Sequence, residues 1–443
     1  MKRLVTVHPA VNLLVFVLLS CFVASSADAA NRYVRSGATG AANGSDWTNA
    51  YPSLPATLTR GDTYYIATGN YGGYGFNTAQ SGTTPITIKK ATAADHGTDV
   101  GWSSSFGTGQ AVFSGKFDFN SGWWVIDGQV GGGPGSWTSG FGFKVQYGGG
   151  SVIDISGSNI TIRHVEAQGN GGDGDGTGQA NDIVAVSGSN VTLSYAYLYG
   201  AGRCIYFLSG ANLIFEYNYT GYHESTAAQH SEIASIWKWS TTAPANITYR
   251  YSVFTHAEGT GGLIMEGDGL FVYGNVFYKP AGDNWEHGNG LIGTWTVNTL
   301  TNVKVYNNSF INTNTGWMIL GTLFTPPTTG NEARNNLFYS ATSIGGLGSL
   351  FPTFSHNHYV DSALPSVTES TRSTATGSPV MNYQGLDFRL KAATPAGMTL
   401  PAPYNRDMFG NVRGADGTWD RGAVEFGGTT TTGPATPSNL SLN

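Results

Sequence analysis

Charge is scarce in this sequence. Only 11% of its 443 residues are Asp, Glu, Lys or Arg, too few for a protein built mainly of solvated, ion-paired helices. The formal net charge of −6 supplies no global basic field, which argues against nucleic acid or an anionic membrane as a general partner. Cysteine is nearly absent. Once an export signal is removed, Cys204 stands alone without Cys21, so no intramolecular disulfide can brace the fold and packing must hold it. Cys204 itself reads as a small buried hydrophobe. No apolar run after the N-terminus approaches the roughly 20 residues of a membrane span. Zinc-type Cys/His spacing, a phosphate-cradling Gly-Lys-Ser/Thr loop and a serine-nucleophile elbow are missing as well, and no organic cofactor is expected.

Glycine is abundant, at 63 residues, together with 23 Tyr and 22 Phe. That balance favours an all-β chain with many turns. The first 29 residues read as an export signal: Lys2 and Arg3, an apolar run from Val11 to Val23, then small residues through Ala29. A secreted protein, extracellular or periplasmic, is expected, with lipoprotein anchoring through Leu18-Leu-Ser-Cys21 as the minor alternative.

The body of the chain repeats. Seven segments share one register: NITIRHVEA from Asn159, NVTLSYAYL from Asn190, NLIFEYNYT from Asn212, NITYRYSVF from Asn246, GLFVYGNVF from Gly269, NVKVYNNSF from Asn302 and GNEARNNLF from Gly330. Their starts are 22 to 34 residues apart, the period of a solenoid whose loops vary in length. The ninth position is Phe in the last four (Phe254, Phe277, Phe310, Phe338), a column of like on like that stacked coils need for a continuous interior. The seventh position gives Asn218, Asn275, Asn308 and Asn336. Asn is a poor strand residue, so its recurrence predicts a ladder of amides at a bend. A second strand precedes each unit: DIVAV from Asp182, CIYFL from Cys204, EIASIW from Glu232, GLIME from Gly262, GLIGTW from Gly290 and WMIL from Trp317. Short strands with loops of unequal length fit a parallel β-helix better than a propeller, whose blades need about 40 to 45 residues.

With its coil motif, its Asn and Phe columns and its ending DFRL…DMFGNVRGADGTWDRGAVEF, the chain resembles the secreted right-handed parallel β-helix proteins of the pectate-lyase-like superfamily, over roughly residues 32 to 426. The resemblance implies a single-stranded solenoid over 30–426, with an N-terminal cap and a C-terminal closing segment. It implies carbohydrate chemistry in general terms, since the superfamily holds lyases, hydrolases, epimerases and noncatalytic surface proteins. Residues 427–443, rich in Thr, Pro and Gly, read as a linker or truncated tail.

Ionisable residues crowd between Tyr222 and His287, where four of the nine histidines fall. Neighbouring coils are about 4.8 Å apart, so residues at equal offsets become neighbours. Ten residues after successive starts come Tyr222, His256 and Lys279; twelve after come Glu224 and Glu258. At the head of the upstream strand, Asp182, Arg203 and Glu232 fall on three successive coils, with His230 close by. A polysaccharide lyase must neutralise a uronate carboxylate, remove the proton at C5 and protonate the leaving oxygen, tasks suited to Arg or a metal, to Lys or His, and to Tyr or His. Tyr222, His223, His230, Glu232, His256, Glu258 and Lys279 are the candidate catalytic residues, with Arg203, His287, Trp237, Trp239, Trp285 and Trp295 as candidate substrate contacts. The resemblance to chondroitinase B-like and alginate lyases implies basic residues near a carboxylate-bound calcium. Asp173, Asp175 and Asp182, in the Gly-Asp segment 169–182, are the candidate Ca²⁺ ligands, with a solvated loop as the plain reading. The expected function is a polysaccharide lyase acting on a uronate-containing polysaccharide, as a monomer. A glycoside hydrolase with paired carboxylates and a noncatalytic carbohydrate-binding solenoid are the alternatives.

Overall fold

The computed structural model describes residues 29–171, 182–223, 231–236, 244–255, 261–264, 267–281, 292–293, 300–313, 329–344, 351, 353–365 and 367–428, with only the backbone described at 222, 261, 264 and 293. The expected export signal and the tail beyond residue 428 therefore lie outside the described residues.

Short strands stack in parallel into two large sheets of thirteen and eighteen strands. The larger one has two faces, so each full coil contributes to three: a first sheet, a second and a third. Two long strands, Gly69–Phe76 and Ala111–Phe119, run unbroken from the second face into the third. They bend where Gly73 meets Gly115; a side chain on Gly73 would lie 2.7 Å from the Gly115 backbone, so only glycine passes. Beyond them the faces separate. Ala111–Ser114 pairs with Phe143–Gln146, while Phe117–Phe119 pairs with Ile153–Ile155.

The seven-unit register holds throughout. Thr161, Thr192, Ile214, Thr248, Phe271, Lys304 and Glu332, each two residues after its unit's start, are paired one to the next along the first sheet. The stack also extends past the repeats seen in the sequence, with Thr353–Ser355 at one end and Trp124–Asp127, Ile86–Lys90, Thr63–Ile66 and Asn31–Val34 at the other.

Each unit opens on a left-handed residue, which explains why Asn and Gly alternate there: φ is +61° at Asn159, +58° at Asn190, +57° at Asn212, +56° at Asn246 and +76° at Gly269. The Asn side chains form an exposed chain of amides, Asn190 donating to Asn159, Asn212 to Asn190 and Asn246 to Asn212. Five residues later the chain turns left-handed again, at the corner between the first and second sheets. There His164, Tyr195, Tyr217 and Tyr251 stack with ring centroids 4.9 to 5.2 Å apart.

The predicted interior columns are present, except that Ser252 separates Asn218 from the amide ladder, and the Asn218 amide donates instead to the Leu193 carbonyl. Phe254, Phe277, Phe310 and Phe338 are fully buried and stacked about 4.8 to 5.0 Å apart, and Tyr359 continues them. Asn275 donates its side-chain amide to Asn308 Oδ1, Asn308 to Asn336 and Asn336 to Asn357, at 3.0 to 3.1 Å. The same oxygens accept backbone N–H groups of the preceding coil, from Ser252 to Asn275 and from Asn275 to Asn308. Asn357 ends the series by donating to Glu369 Oε1, a carboxylate that can only accept.

The C-terminal segment closes over the corner between the first and second sheets. Trp419 Nε1 donates to Asn307 Oδ1, Tyr251 donates to the Pro403 carbonyl, and Arg421 reaches the Asn357 carbonyl.

Candidate functional site at the corner between the second and third sheets

The polar cluster read from the sequence belongs to the opposite corner. Where the second sheet passes to the third, the strands Tyr197–Ala201 and Cys204–Leu208 are joined by Gly202 and Arg203 alone. In the next coil Tyr219–His223 is followed by Glu232–Ile236.

At this corner one register expectation needs correcting. Glu232 pairs with Cys204, not Arg203, and Val184 pairs with Tyr206, which puts Asp182 level with Cys204. The column at the head of the third sheet is thus Asp182, Cys204, Glu232 and then Gly261, one residue earlier than the Gly262 expected from the apolar pattern. Arg203 stands just outside the column and reaches back over it. Its Nε donates to Asp182 Oδ1 at 2.9 Å and its Nη2 to Oδ2, a two-point clamp. The guanidinium also lies 4.2 Å from the Phe207 ring centroid. A third of the Arg203 side chain is exposed, whereas Asp182 is buried.

Cys204 is more than a small hydrophobe. Its thiol donates to Glu232 Oε2 at 3.2 Å, and both side chains are buried. Burial pushes the Glu232 carboxyl up to about 7, against the opposing effects of the Cys204 bond and the Arg203 charge. Burial, reinforced by the charges of Glu232 and Asp182, likewise pushes the thiol well up, so Cys204 is no ready nucleophile. His223 is buried at the end of its strand, where Nδ1 lies 2.6 Å from the hydroxyl of Ser231, the residue before Glu232. Lys279 is also largely buried; its backbone N–H donates to Ile311 and its carbonyl accepts from Asn312.

The structure therefore brings together Asp182, Arg203, His223 and Glu232. His230, His256, Glu258, His287, Trp237, Trp239, Trp285, Trp295, Asp173 and Asp175 lie outside the described residues, as does the side chain of Tyr222. Of the three candidate Ca²⁺ ligands only Asp182 is among the described residues. Both Asp182 oxygens are engaged by a cation, and no group of three His, Cys, Asp or Glu among the described residues could hold a metal.

A second polar cluster went unread in the sequence. On the outer face of the second sheet, Glu166 pairs with Lys144 across coils. Glu166 Oε1 accepts from Lys144 Nζ and from the Tyr199 hydroxyl, both at 2.7 Å, and Oε2 accepts from Gln110 at 2.8 Å. Burial opposes ionisation here, but these three donors outweigh it and hold the Glu166 carboxyl below its ordinary value. Tyr197 stacks on Tyr199 with centroids 4.3 Å apart.

No family model and no curated protein matches the sequence. Among solved structures, pectate lyase Pel9A is similar at 14% identity and a TM-score of 0.54, covering 90% of this chain and 97% of that one. A mannuronic acid specific polysaccharide family 6 lyase from human gut microbiota (11% identity, 79% of this chain, 82% of that one) and GH136 lacto-N-biosidase from Eubacterium ramulus (11%, 78% and 68%) each give a TM-score of 0.40. With three strand columns stacked in parallel and a Pel9A likeness that spans nearly all of both chains, this protein folds as a parallel β-helix similar to that of pectate lyase Pel9A.

Proposed function

We propose that the protein is a secreted carbohydrate-active enzyme that cleaves a uronate-containing polysaccharide by β-elimination. The observation that carries this reading is the fixed cation at the head of the third sheet. Arg203 is clamped by Asp182, seated on Phe207 and still one-third exposed. A guanidinium held in this way can pair with a uronate carboxylate and lower the cost of charge building at C5 as its proton leaves. The C5–H bond then breaks toward a base, the C4–O bond breaks, a C4–C5 double bond forms and the leaving oxygen takes a proton. Lys279 is the candidate base, and Tyr222, two coils away at the same offset, is the candidate acid. Glu232 and His223, both buried, act behind Arg203 as positioning residues. The likeness in fold to pectate lyase Pel9A supports the substrate class.

One observation favours glycoside hydrolysis as a second reading: a carboxyl raised to about 7, as at Glu232, is suited to general acid catalysis at neutral pH. One experiment separates the two. Pectate, alginate, glycosaminoglycans and neutral glucans are incubated with the wild type and with Arg203→Lys, which keeps a charge for Asp182 but loses the two-point clamp. Elimination yields ultraviolet-absorbing unsaturated uronates, and Arg203→Lys should lose activity by roughly a hundredfold. Reducing ends without that absorbance would establish the hydrolase. Products from none of the polymers would leave a binding solenoid.

A further inference from the structure

The corner between the first and second sheets is made by a single left-handed residue in most coils, but two early coils expand it. Residues 91–110 join Ile86–Lys90 to Ala111–Phe119, and residues 128–142 join Trp124–Asp127 to Phe143–Gln146. Between these two loops lies a cavity of about 290 Å³, bordered by Glu166 on the second sheet. That volume is at the lower end for small-molecule pockets, about 300 Å³, and suits one ring-sized ligand.

Its lining has four chemical parts. Gly107, Gly109, Gly140 and Gly142 leave the walls free of side chains, and a Cβ on Gly142 would lie 2.9 Å from Lys90 Cγ. Phe141 adds an apolar wall. Thr92, Thr108 and Gln110 add hydroxyls and an amide. Lys90, 1% exposed, adds a cation. Lys90 Nζ donates to the Ala91 carbonyl at 2.6 Å and the Phe106 carbonyl at 3.1 Å, and among the described residues no carboxylate lies within ion-pair reach of it. Glu166, the carboxylate in the lining, is already neutralised by Lys144. A buried ammonium facing carbonyls alone is costly, and a bound anion would offset that cost. Phe141 lies 6.5 Å from Tyr197, which stacks on Tyr199 in the strand that leads to Arg203. An aromatic path thus runs from the cavity toward the candidate site.

We propose that this cavity is a subsite for a single carboxylate-bearing sugar unit, with Lys90 taking the carboxylate, Gln110 and Thr108 the hydroxyls, and Phe141 the apolar face of the ring. The assignment deepens the polysaccharide reading above and rests on it for the identity of the sugar.

The test is calorimetric titration of the intact protein with galacturonate and mannuronate, and with their neutral counterparts galactose and mannose. At least one uronate should bind at least tenfold more tightly than its neutral counterpart. Lys90→Met should weaken that uronate by roughly ten- to a hundredfold, the range for a hydrogen bond to a charged group, and leave the neutral sugar unchanged. Because Lys90 is buried, Thr108→Trp serves as the second variant: Thr108 is exposed at the rim, and the indole should fill the cavity and abolish binding without touching the core. Equal affinity for charged and neutral sugars, or wild-type binding by Thr108→Trp, overturns the subsite. If uronate binding follows this pattern while no uronan is cleaved, the lyase reading fails and the subsite stands. If uronans are cleaved and Thr108→Trp binds as the wild type does, the subsite fails alone.

Discussion

The two corners of the second sheet solve the same physical problem in opposite ways. At the first corner and just inside it, equal offsets carry equal chemistry: Asn308 lies on Asn336, Tyr217 on Tyr251 and Phe310 on Phe338. In these coils each laddered amide finds its partner in the neighbouring coil. At the far corner the column reads Asp182, Cys204, Glu232 and Gly261, with no two residues alike. Buried charge there needs particular partners, a guanidinium for Asp182 and a thiol for Glu232. Repetition builds the scaffold, and departure from repetition builds the site.

The sharpest way to break this contrast is inside the ladder. Asn308→Ala strips the acceptor from both the backbone and the side-chain N–H of Asn275 and the donor from the Val272 carbonyl. Each buried group left unpaired costs about 1–3 kcal/mol, so denaturant titration should show a loss of at least about 3 kcal/mol.

A change at the far corner should act with the opposite sign. Glu232 has a folded pKa near 7, raised from an ordinary 4.5. Its contribution to stability is full below about pH 4.5 and is lost as pH rises through 7, because the folded state keeps a proton that the unfolded state has released. Glu232→Gln removes this dependence while keeping an acceptor for Cys204. The variant should match the wild type at pH 4.5 and exceed it at pH 8 by up to about 3 kcal/mol, measured by denaturation at the two pH values. A variant less stable than the wild type at pH 8 would mean that the fold does not raise the Glu232 carboxyl.

The smallest effect is expected on the exposed amide chain. Asn190→Gly should change stability by less than about 0.5 kcal/mol, because glycine accepts φ of +58° freely. Asn190→Ala should cost about 1 kcal/mol, nearly all of it backbone strain. A larger loss in the glycine variant would show that the outer amides carry load as the inner ones do.

The same contrast explains what could be read beforehand. The fold was legible because like residues recur, so the unit starts from Asn159 to Gly330 give the true register of the first sheet. The early coils are harder to read, since Trp123 takes the left-handed corner that Asn holds later and their stacked Phe76 and Phe119 lie outside the repeating units. The strand starts at Asp182, Cys204 and Glu232 stand in true register, and the polar column expected to hold Arg203 holds its neighbour Cys204 instead. The Lys144–Glu166–Tyr199 group is hidden in the sequence because Lys144 precedes the first repeat unit, while Glu166 lies in that unit and Tyr199 follows the next. Only the pleat, with Lys144 and Glu166 both facing outward on paired strands, could have signalled it.

The inner ladder has a direction. Each side-chain amide from Asn275 to Asn336 gives one proton to the next Asn toward the C-terminus and the other back to a carbonyl of the preceding coil, and the series stops at Glu369. A protein of this kind can lengthen by copying a whole coil between two asparagines, because the copy inherits a receiver below and a giver above. The carboxylate therefore ends the amide series, while the second sheet runs on for one more strand, Ser373–Ala375.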